Sequence, residues 1–313
     1  EQSDFKYSLN GIWKFEYAKN YECCDKTFFE MDRNCKGWDD IKVPAHIQVE
    51  GYDKIMYVNT QYPWDGHEEI APGEIPTEEN PVANYVKYFD VPDYMKDRPV
   101  YISFQGVESS FALWLNGKYV GYSEDSFTPA EFDLSSFIVE GENKLAVQVF
   151  KWTAGSWCED QDFFRFSGIF RDVYLYTVPL THIRDIRIQT LLDDEYKDAT
   201  LVIDMEVIGA GMAQITVSDD EEEILSKSQL SEGMNHTEIH VRGPKLWSAE
   251  QPNLYDLHIN VFGETGRINE VVKEKVGFRR FEMKNTMMHI NGKRIVFKGV
   301  NRHEFSSTTG RVL

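Results

Sequence analysis

The stretch that decides the fold reads Phe111-Ala-Leu-Trp-Leu-Asn-Gly-Lys-Tyr-Val-Gly-Tyr122. Two runs of aromatic and branched residues flank the pair Asn116-Gly117. A two-residue hairpin turn needs positive φ at both central positions, and Asn-Gly tolerates that conformation best. The stretch therefore predicts two antiparallel strands joined by a tight turn.

Similar runs recur through the first 180 residues, separated by Pro, Gly or Asp clusters. They are rich in β-branched and aromatic residues, as antiparallel strands are, and lie at 84–90, 100–105, 144–150 and 173–177. No window has the period of a long amphipathic helix. We therefore expect residues 1–180 to form a β-sandwich or jelly roll.

The pattern changes near Pro179, where aromatic residues become rarer and the alternation of apolar and polar residues becomes cleaner. Two runs, 201–208 and 255–261, place apolar residues on one face. Strands at turn intervals over roughly 100 residues indicate a small immunoglobulin-like sandwich, residues 181–278. The acidic run Asp219-Asp-Glu-Glu-Glu223 favours a solvated turn over a metal cluster.

Residues 279–313 begin with a second Asn-Gly turn, Asn291-Gly292, and a buried-looking strand from Ile295 to Val300. A polar run, Asn301-Arg-His-Glu304, follows, as it does after the first strand of a (β/α)₈ barrel. Such a barrel takes about 250 residues. Either this segment is its beginning, or the strand packs on the second sandwich; the predicted class is all-β.

The charge of the chain excludes some partners. With 52 Asp and Glu against 33 Lys and Arg, the formal charge is −19. This argues against binding nucleic acid or an anionic membrane surface, both of which reward clustered cations. No apolar run approaches the roughly 20 residues of a membrane span. The first residue is Glu1, which leaves room for a removed leader.

The cysteines Cys23, Cys24, Cys35 and Cys158 lack the CxxC spacing of zinc sites. Reduced thiols in a reducing compartment are the preferred interpretation, which indicates the cytoplasm. A bridge from Cys23 or Cys24 to Cys35 is the alternative.

Three polar clusters are candidates for chemistry. Glu159-Asp-Gln-Asp162 precedes an aromatic run, and carboxylates there suit ligand hydroxyls or a hard cation. The alternative is an exposed acidic turn. Asn59 lies in Tyr57-Val-Asn-Thr-Gln-Tyr-Pro-Trp64, where aromatic faces and an amide suit a sugar, although aromatic loops are commonly local packing. The third candidate is His303, in the polar run after the predicted barrel strand.

These clusters and several longer runs resemble the β-galactosidases of glycoside hydrolase family 2. The matching runs follow one another along essentially the whole chain; they lie at 85–89, 104–126, 131–134, 141–147, 159–172, 246–255, 276–279 and 298–304. The resemblance implies a sugar-binding jelly roll at 1–180, an immunoglobulin-like domain at 181–278 and the first part of a TIM barrel at 279–313.

The resemblance also implies site residues. Asn59 would border a galactosyl pocket, Asp162 would meet galactose hydroxyls and help to hold a sodium ion, and His303 would contact the sugar. The implied reaction is hydrolysis of β-galactosides with retention, by two glutamates about 5 Å apart. In the family these glutamates and the magnesium ligands lie on later barrel strands, beyond Leu313, and the parent enzyme is a homo-oligomer.

We therefore expect no catalytic residue within this chain and no hydrolysis by the chain alone. Two other interpretations stay open at this point. The chain could be a stand-alone carbohydrate-binding module, which would bind galactose without a barrel. It could also be a purely structural piece that serves domain packing.

Overall fold

The computed structural model describes residues 5–159, 162–263, 265–302 and 304–312. The chain divides into two compact units, Glu1–Val178 with Arg302–Leu313, and Pro179–Asn301. In the described residues the helices are three 3₁₀ turns, Tyr21–Cys23, Asp93–Met95 and Ala154–Trp157, and no helix there is long and apolar enough to cross a membrane. The predicted all-β class is confirmed.

The described residues of the first unit form fourteen strands. They are β1 Lys6–Ser8, β2 Gly11–Ala18, β3 Asp39–Val43, β4 Met56–Val58, β5 Val82–Asp90, β6 Val100–Phe104, β7 Val107–Glu108, β8 Ser110–Leu115, β9 Lys118–Ser123, β10 Ala130–Asp133, β11 Glu142–Phe150, β12 Phe163–Arg165, β13 Gly168–Ile169 and β14 Val173–Thr177.

These strands form a four-stranded sheet, β1-β14-β6-β10, and a six-stranded sheet, β3-β2-β5-β11-β8-β9. Their inner faces share one apolar core, in which Trp13 and Phe15 of one sheet meet Ile102 and Leu175 of the other. Burying the alternate residues of each strand is what keeps the two sheets together. Two small ribbons, β12-β4 and β13-β7, complete the unit.

The predicted hairpin is confirmed. β8 pairs antiparallel with β9, and Leu115 lies opposite Lys118. The turn residues Asn116 and Gly117 have φ of 52° and 79°, the left-handed conformation that this turn requires. The Asn116 amide also donates to the side-chain oxygen of Asn143, which ties the turn to the start of β11.

In the second unit ten strands are formed by the residues that the structure describes. They are β15 His182–Leu192, β16 Ala199–Ile208, β17 Gly211–Ser218, β18 Glu223–Leu230, β19 Gly233–Val241, β20 Tyr255–Phe262, β21 Ile268–Val276, β22 Phe281–Lys284, β23 Met287–Ile290 and β24 Lys293–Arg294.

Seven of these strands form a sandwich of sheets β15-β16-β19 and β18-β17-β20-β21. Three strands facing four is the division typical of immunoglobulin-like domains. The predicted alternation is confirmed, because Leu201 and Ile203 in β16 and Leu257 and Ile259 in β20 are fully buried. The remaining strands form the small sheet β22-β23-β24, with Asn291-Gly292 as its second turn.

The predicted buried strand from Ile295 to Val300 is wrong in this structure. These residues lie outside the strands, and the side chains of Val296, Phe297 and Val300 are 69%, 65% and 90% exposed. A barrel strand is buried by the strands and helices around it. In the described part of the chain the segment makes one backbone hydrogen bond to a strand, from Ile295 to Met288, and no ladder beyond it, so Val296, Phe297 and Val300 remain uncovered.

The four cysteines are free thiols, so the alternative bridge to Cys35 is absent. Cys24 and Cys35 are buried and Cys23 and Cys158 are exposed. Burial raises the pKa of the Cys24 thiol to about 11. Both buried thiols therefore act as small apolar side chains.

Candidate functional site

A two-stranded ribbon of the first unit carries two of the predicted sugar-facing residues. β4 and β12 pair antiparallel, with Phe163 opposite Val58 and Phe164 opposite Tyr57. Asp162 directly precedes β12, and its carboxylate accepts a hydrogen bond from the Tyr57 hydroxyl. That hydrogen bond raises the pKa of Tyr57. The exposed Asp162 carboxylate is thus oriented by a residue of the facing strand.

Asn59 follows β4 directly and is exposed. Val58, the residue before Asn59, pairs with Phe163, the residue after Asp162. The structure therefore brings two of the three predicted site residues to the same end of the ribbon. The third, His303, lies outside the described residues.

A cavity of about 370 Å³ opens beside Asp162. It is lined by Tyr57, Asp162, Phe163, Phe164, Glu304, Phe305 and Arg311. The rings of Phe164 and Phe305 stack with centroids 4.8 Å apart and planes at 17°. Aromatic faces beside carboxylates are what a sugar requires, because its C–H faces pack on rings while its hydroxyls donate to oxygen.

The aromatic loop after Asn59 has a different role. Tyr62 stacks on Trp64 with ring planes at 6°, and Trp64 also contacts Trp152 and Trp157. Trp64 is only 4% exposed. Of the sequence cluster 57–64, the part around Trp64 is therefore local packing, while Tyr57 lines the cavity.

A buried ion pair joins Asp53, three residues before β4, to Lys151. The Lys151 ammonium lies 2.5 Å from the Asp53 carboxylate, which also accepts a hydrogen bond of 2.8 Å from Gln48. Gln48 in turn bonds the backbone and side chain of Ser167. Burial alone would raise the pKa of Asp53, but Lys151 and these hydrogen bonds outweigh it and the pKa is lowered.

Glu108 and Arg311 form a second buried ion pair, which the sequence alone did not predict. One Arg311 guanidinium nitrogen lies 2.5 Å from a Glu108 carboxylate oxygen, and the two side chains are 10% and 5% exposed. Burial raises the pKa of Glu108 against the opposing attraction of Arg311. A signal existed, since Glu108 is the one charged residue in the run Phe104-Gln-Gly-Val-Glu-Ser-Ser-Phe111.

His46, which contacts Arg311, is a further residue that the sequence alone did not predict to lie here. Its ring stacks on Phe166 and Phe170 at 4.3 and 5.1 Å, and its Nε2 accepts a hydrogen bond from the Arg311 backbone N–H. Desolvation, together with repulsion by the Arg311 charge, lowers the pKa of His46 to about 3. His46 is therefore a neutral acceptor at physiological pH.

A wider cleft of about 910 Å³ lies beside the loop 68–77. Three of its lining carboxylates, those of Glu68, Glu74 and Glu124, accept hydrogen bonds within the protein. Glu68 accepts hydrogen bonds from the backbone N–H groups of Thr77, Glu78 and Glu79, and Glu124 accepts one from the Tyr122 hydroxyl. Glu68 therefore organises the loop that follows it, and Glu124 is tied to a tyrosine of β9.

The residues around Asp162 fit a shared cation site better than a complete one. A carboxylate oxygen suits a hard cation such as sodium, which prefers oxygen ligands. Asp162 supplies such an oxygen, but the described residues contain no group of three or more His, Cys, Asp or Glu placed to hold a metal. Asp162 could therefore contribute one ligand while others come from elsewhere.

The acidic run at 219–223 is a solvated turn, as predicted. The Asp219 carboxylate accepts hydrogen bonds from the backbone N–H groups of Glu221 and Glu222. Lys245 lies 3.1 Å from Asp219 and 3.0 Å from Glu221.

Comparison with known families gives three consecutive matches. The family described as "Glycosyl hydrolases family 2, sugar binding domain" matches residues 6–179, more than half of the chain. "Glycosyl hydrolases family 2" matches residues 181–279, and "Glycosyl hydrolases family 2, TIM barrel domain" matches residues 281–313.

Individual relatives agree with these matches. A "Beta-galactosidase" from Halalkalibacterium halodurans is 52% identical over 98% of this chain and 31% of the relative. Another, from Clostridium acetobutylicum, is 49% identical over 98% of this chain and 35% of the relative. The chain thus spans about a third of the length of these curated relatives.

Among solved structures, a β-glucuronidase from Bacteroides uniformis covers 98% of this chain with a TM-score of 0.77. Its sequence identity of 22% and its 36% coverage make this a likeness of fold alone. Because the sugar-binding match alone extends over more than half of the residues, the chain belongs to glycosyl hydrolase family 2.

Proposed function

We propose that this chain is the N-terminal part of a retaining β-galactosidase. In this proposal it supplies the part of the galactose pocket around Asp162, while the nucleophile and the acid/base glutamate lie on later barrel strands. Support comes from the names of the curated relatives and from the order of the three family matches along the chain. The same matches do not favour a stand-alone binding module.

The observation that carries the proposal is the cavity beside Asp162. An ionised carboxylate accepts strong hydrogen bonds from vicinal hydroxyls, and the Tyr57 hydroxyl holds it in place. Asn59, at the same end of the ribbon as Asp162, would add an amide, and His303 a further contact. These contacts would tighten as the sugar ring distorts toward the transition state, which raises the rate and not only the affinity.

The proposal extends to cofactors and partners. Asp162 would give one oxygen to a sodium ion, and magnesium would bind elsewhere in the parent enzyme. The substrate would be a terminal β-D-galactoside, and the parent a homo-oligomer. The four free cysteines support a cytoplasmic location. The three family matches support a division into domains at 1–180, 181–278 and 279–313.

The test uses the full-length parent enzyme and the variant Asp162→Asn. We expect kcat/KM for nitrophenyl β-galactoside to fall about 100-fold, since the charged acceptor is worth about 3 kcal/mol. Tyr57→Phe should cause a smaller loss, because it removes only the hydroxyl that orients Asp162. The matching nitrophenyl glucoside and glucuronide should be poor substrates of the wild type.

The matched control is Asp32→Asn, at an exposed aspartate in the loop between β2 and β3. It should leave kcat/KM unchanged. Wild-type kinetics for Asp162→Asn would remove Asp162 from the site. A parent enzyme that prefers the glucoside or the glucuronide would contradict the galactosidase assignment.

A further inference from the structure

The segment 304–312 is fastened to the sugar-binding sandwich by side chains outside the predicted site. Phe305 stacks on Phe164 and Phe166. Ser306 and Gly310 exchange backbone hydrogen bonds of 2.8 and 3.0 Å, which closes a tight turn. Gly310 has φ of +65°, and a Cβ there would lie 2.8 Å from the His46 ring. A side chain at position 310 would therefore collide with the His46 ring, so this turn requires glycine there.

Arg311 makes the strongest contact of the segment. Its guanidinium lies against both Glu108 oxygens and over the Phe163 ring, 3.9 Å from the centroid. Its backbone N–H donates to His46. Arg165 and Arg171 carry like charges near Arg311, and the Glu108 carboxylate opposes their repulsion.

The geometry connects this ion pair to the cavity. Phe163, under the guanidinium, is the residue next to Asp162, and Glu304 and Phe305 lie on the same segment as Arg311. One wall of the cavity is thus the ribbon at 162–164, and the other is the segment that Arg311 fastens. Buried ion pairs contribute little net stability compared with apolar packing, but they fix geometry because their hydrogen bonds are directional.

We propose that Glu108 and Arg311 are a positioning pair, which sets the separation and orientation of the two walls of the cavity beside Asp162. Neither residue is proposed to touch the sugar. The inference rests on the proposed function only in taking that cavity as the galactosyl pocket.

The first experiment measures steady-state kinetics of the full-length enzyme on nitrophenyl β-galactoside. The variants are Glu108→Asp, Arg311→Lys and the apolar double variant Glu108→Leu/Arg311→Met. Each variant is assayed well below its own melting temperature. Each should have a kcat/KM at least tenfold lower than the wild type, mainly because KM is higher. The apolar pair is expected to keep Tm within a few degrees, because it replaces the ion pair by packing.

The control is Glu142→Gln, which breaks the exposed pair with Lys36, 2.8 Å apart in the same unit. Its kcat/KM should match the wild type. Wild-type kcat/KM in the apolar double variant would show that the pair serves packing alone and would overturn the proposal. If that variant does not fold, the two conservative single variants decide, and wild-type kinetics in both would overturn it equally.

A second measurement separates this inference from the proposed function. Hydrogen exchange of the peptides covering 304–312 should be at least tenfold faster in Glu108→Gln than in the wild type, whatever the substrate proves to be. If these peptides exchange at the wild-type rate in Glu108→Gln, the ion pair does not hold the segment 304–312 in place. An enzyme without galactosidase activity, but with this faster exchange, would refute the proposed function and leave the fastening standing.

Discussion

His46 is a buried imidazole whose charge state differs between the folded and unfolded chain. Its folded pKa is about 3 against an ordinary value of 6.5. Below pH 6.5 the unfolded state therefore binds a proton that the folded state does not bind. The contribution of His46 to stability is complete above pH 6.5 and is lost as the pH falls from there toward 3.

We expect lowering the pH from 7.5 to 5.5 to reduce the free energy of unfolding of the first unit by about 1 kcal/mol through His46. Urea unfolding followed by tryptophan fluorescence measures it, because six of the seven tryptophans lie in this unit. His46→Gln removes the titrating group and should flatten the profile over this range. The contribution of Asp53 to stability is lost only at lower pH, below the ordinary carboxyl pKa of 3.8, because its folded pKa is lowered.

The same profile for His46→Gln and the wild type would show that other groups cause the pH dependence. The pKa of His236 in the second unit shifts in the opposite direction, because hydrogen bonds from its ring to Asp204 and Glu238 raise it. His236→Gln therefore serves as the matched control and should not flatten the loss in the first unit.

Among the elements, the ribbon β13-β7 depends on a glycine. Gly168 has φ of +112°, and an added Cβ would lie 2.8 Å from the Tyr85 hydroxyl, 3.0 Å from Ile47 and 3.2 Å from the Ala45 carbonyl. Tyr85 and Ile47 are both 1% exposed, so neither has room to move. This close approach places β13 directly on the core of the sandwich.

Gly168→Ala should therefore destabilise the first unit by about 3 kcal/mol, from overpacking and backbone strain together. Gly141→Ala is the matched control, because Gly141 has φ of +83° and open space around its Cβ position. It should cost only the strain, about 1 kcal/mol. Urea unfolding compares the two variants, and equal losses would mean that the contacts around Gly168 relax without cost.

At the scale of the whole molecule, the activity expected of the isolated chain depends on how much of its relatives it spans. It spans about a third of its curated relatives and carries the TIM-barrel match only over residues 281–313. Retaining hydrolysis needs two carboxylates on opposite sides of the glycosidic bond. We expect the 313-residue chain alone to show no measurable hydrolysis of nitrophenyl β-galactoside.

Galactose binding by the isolated chain should also be weak or absent in calorimetric titration, because a pocket with one wall missing leaves most of the sugar in water. Turnover by the chain, abolished when one of its own carboxylates is replaced, would contradict this expectation. Millimolar or tighter binding of galactose would instead support the stand-alone module.

Local chemistry explains which predictions succeeded. The Asn116-Gly117 hairpin and the alternation in β16 follow from turn conformation and period-two burial, which operate over a few neighbouring residues. The strand predicted from Ile295 to Val300 failed because an apolar run becomes a strand only when a partner strand pairs with it. Trp64 lay in a sugar-like sequence cluster, yet packing with Trp152 and Trp157 buried it.

By itself, the sequence determined the all-β class, the two hairpin turns, the family resemblance and the candidates Asn59 and Asp162. Only the tertiary structure placed Asn59 and Asp162 at the same end of one two-stranded ribbon. Only the tertiary structure paired Glu108 with Arg311, which lies 203 residues later in the chain. The reason is physical. Turns and alternation are set by near neighbours, whereas a pocket and a buried ion pair exist only where distant strands meet and exclude water.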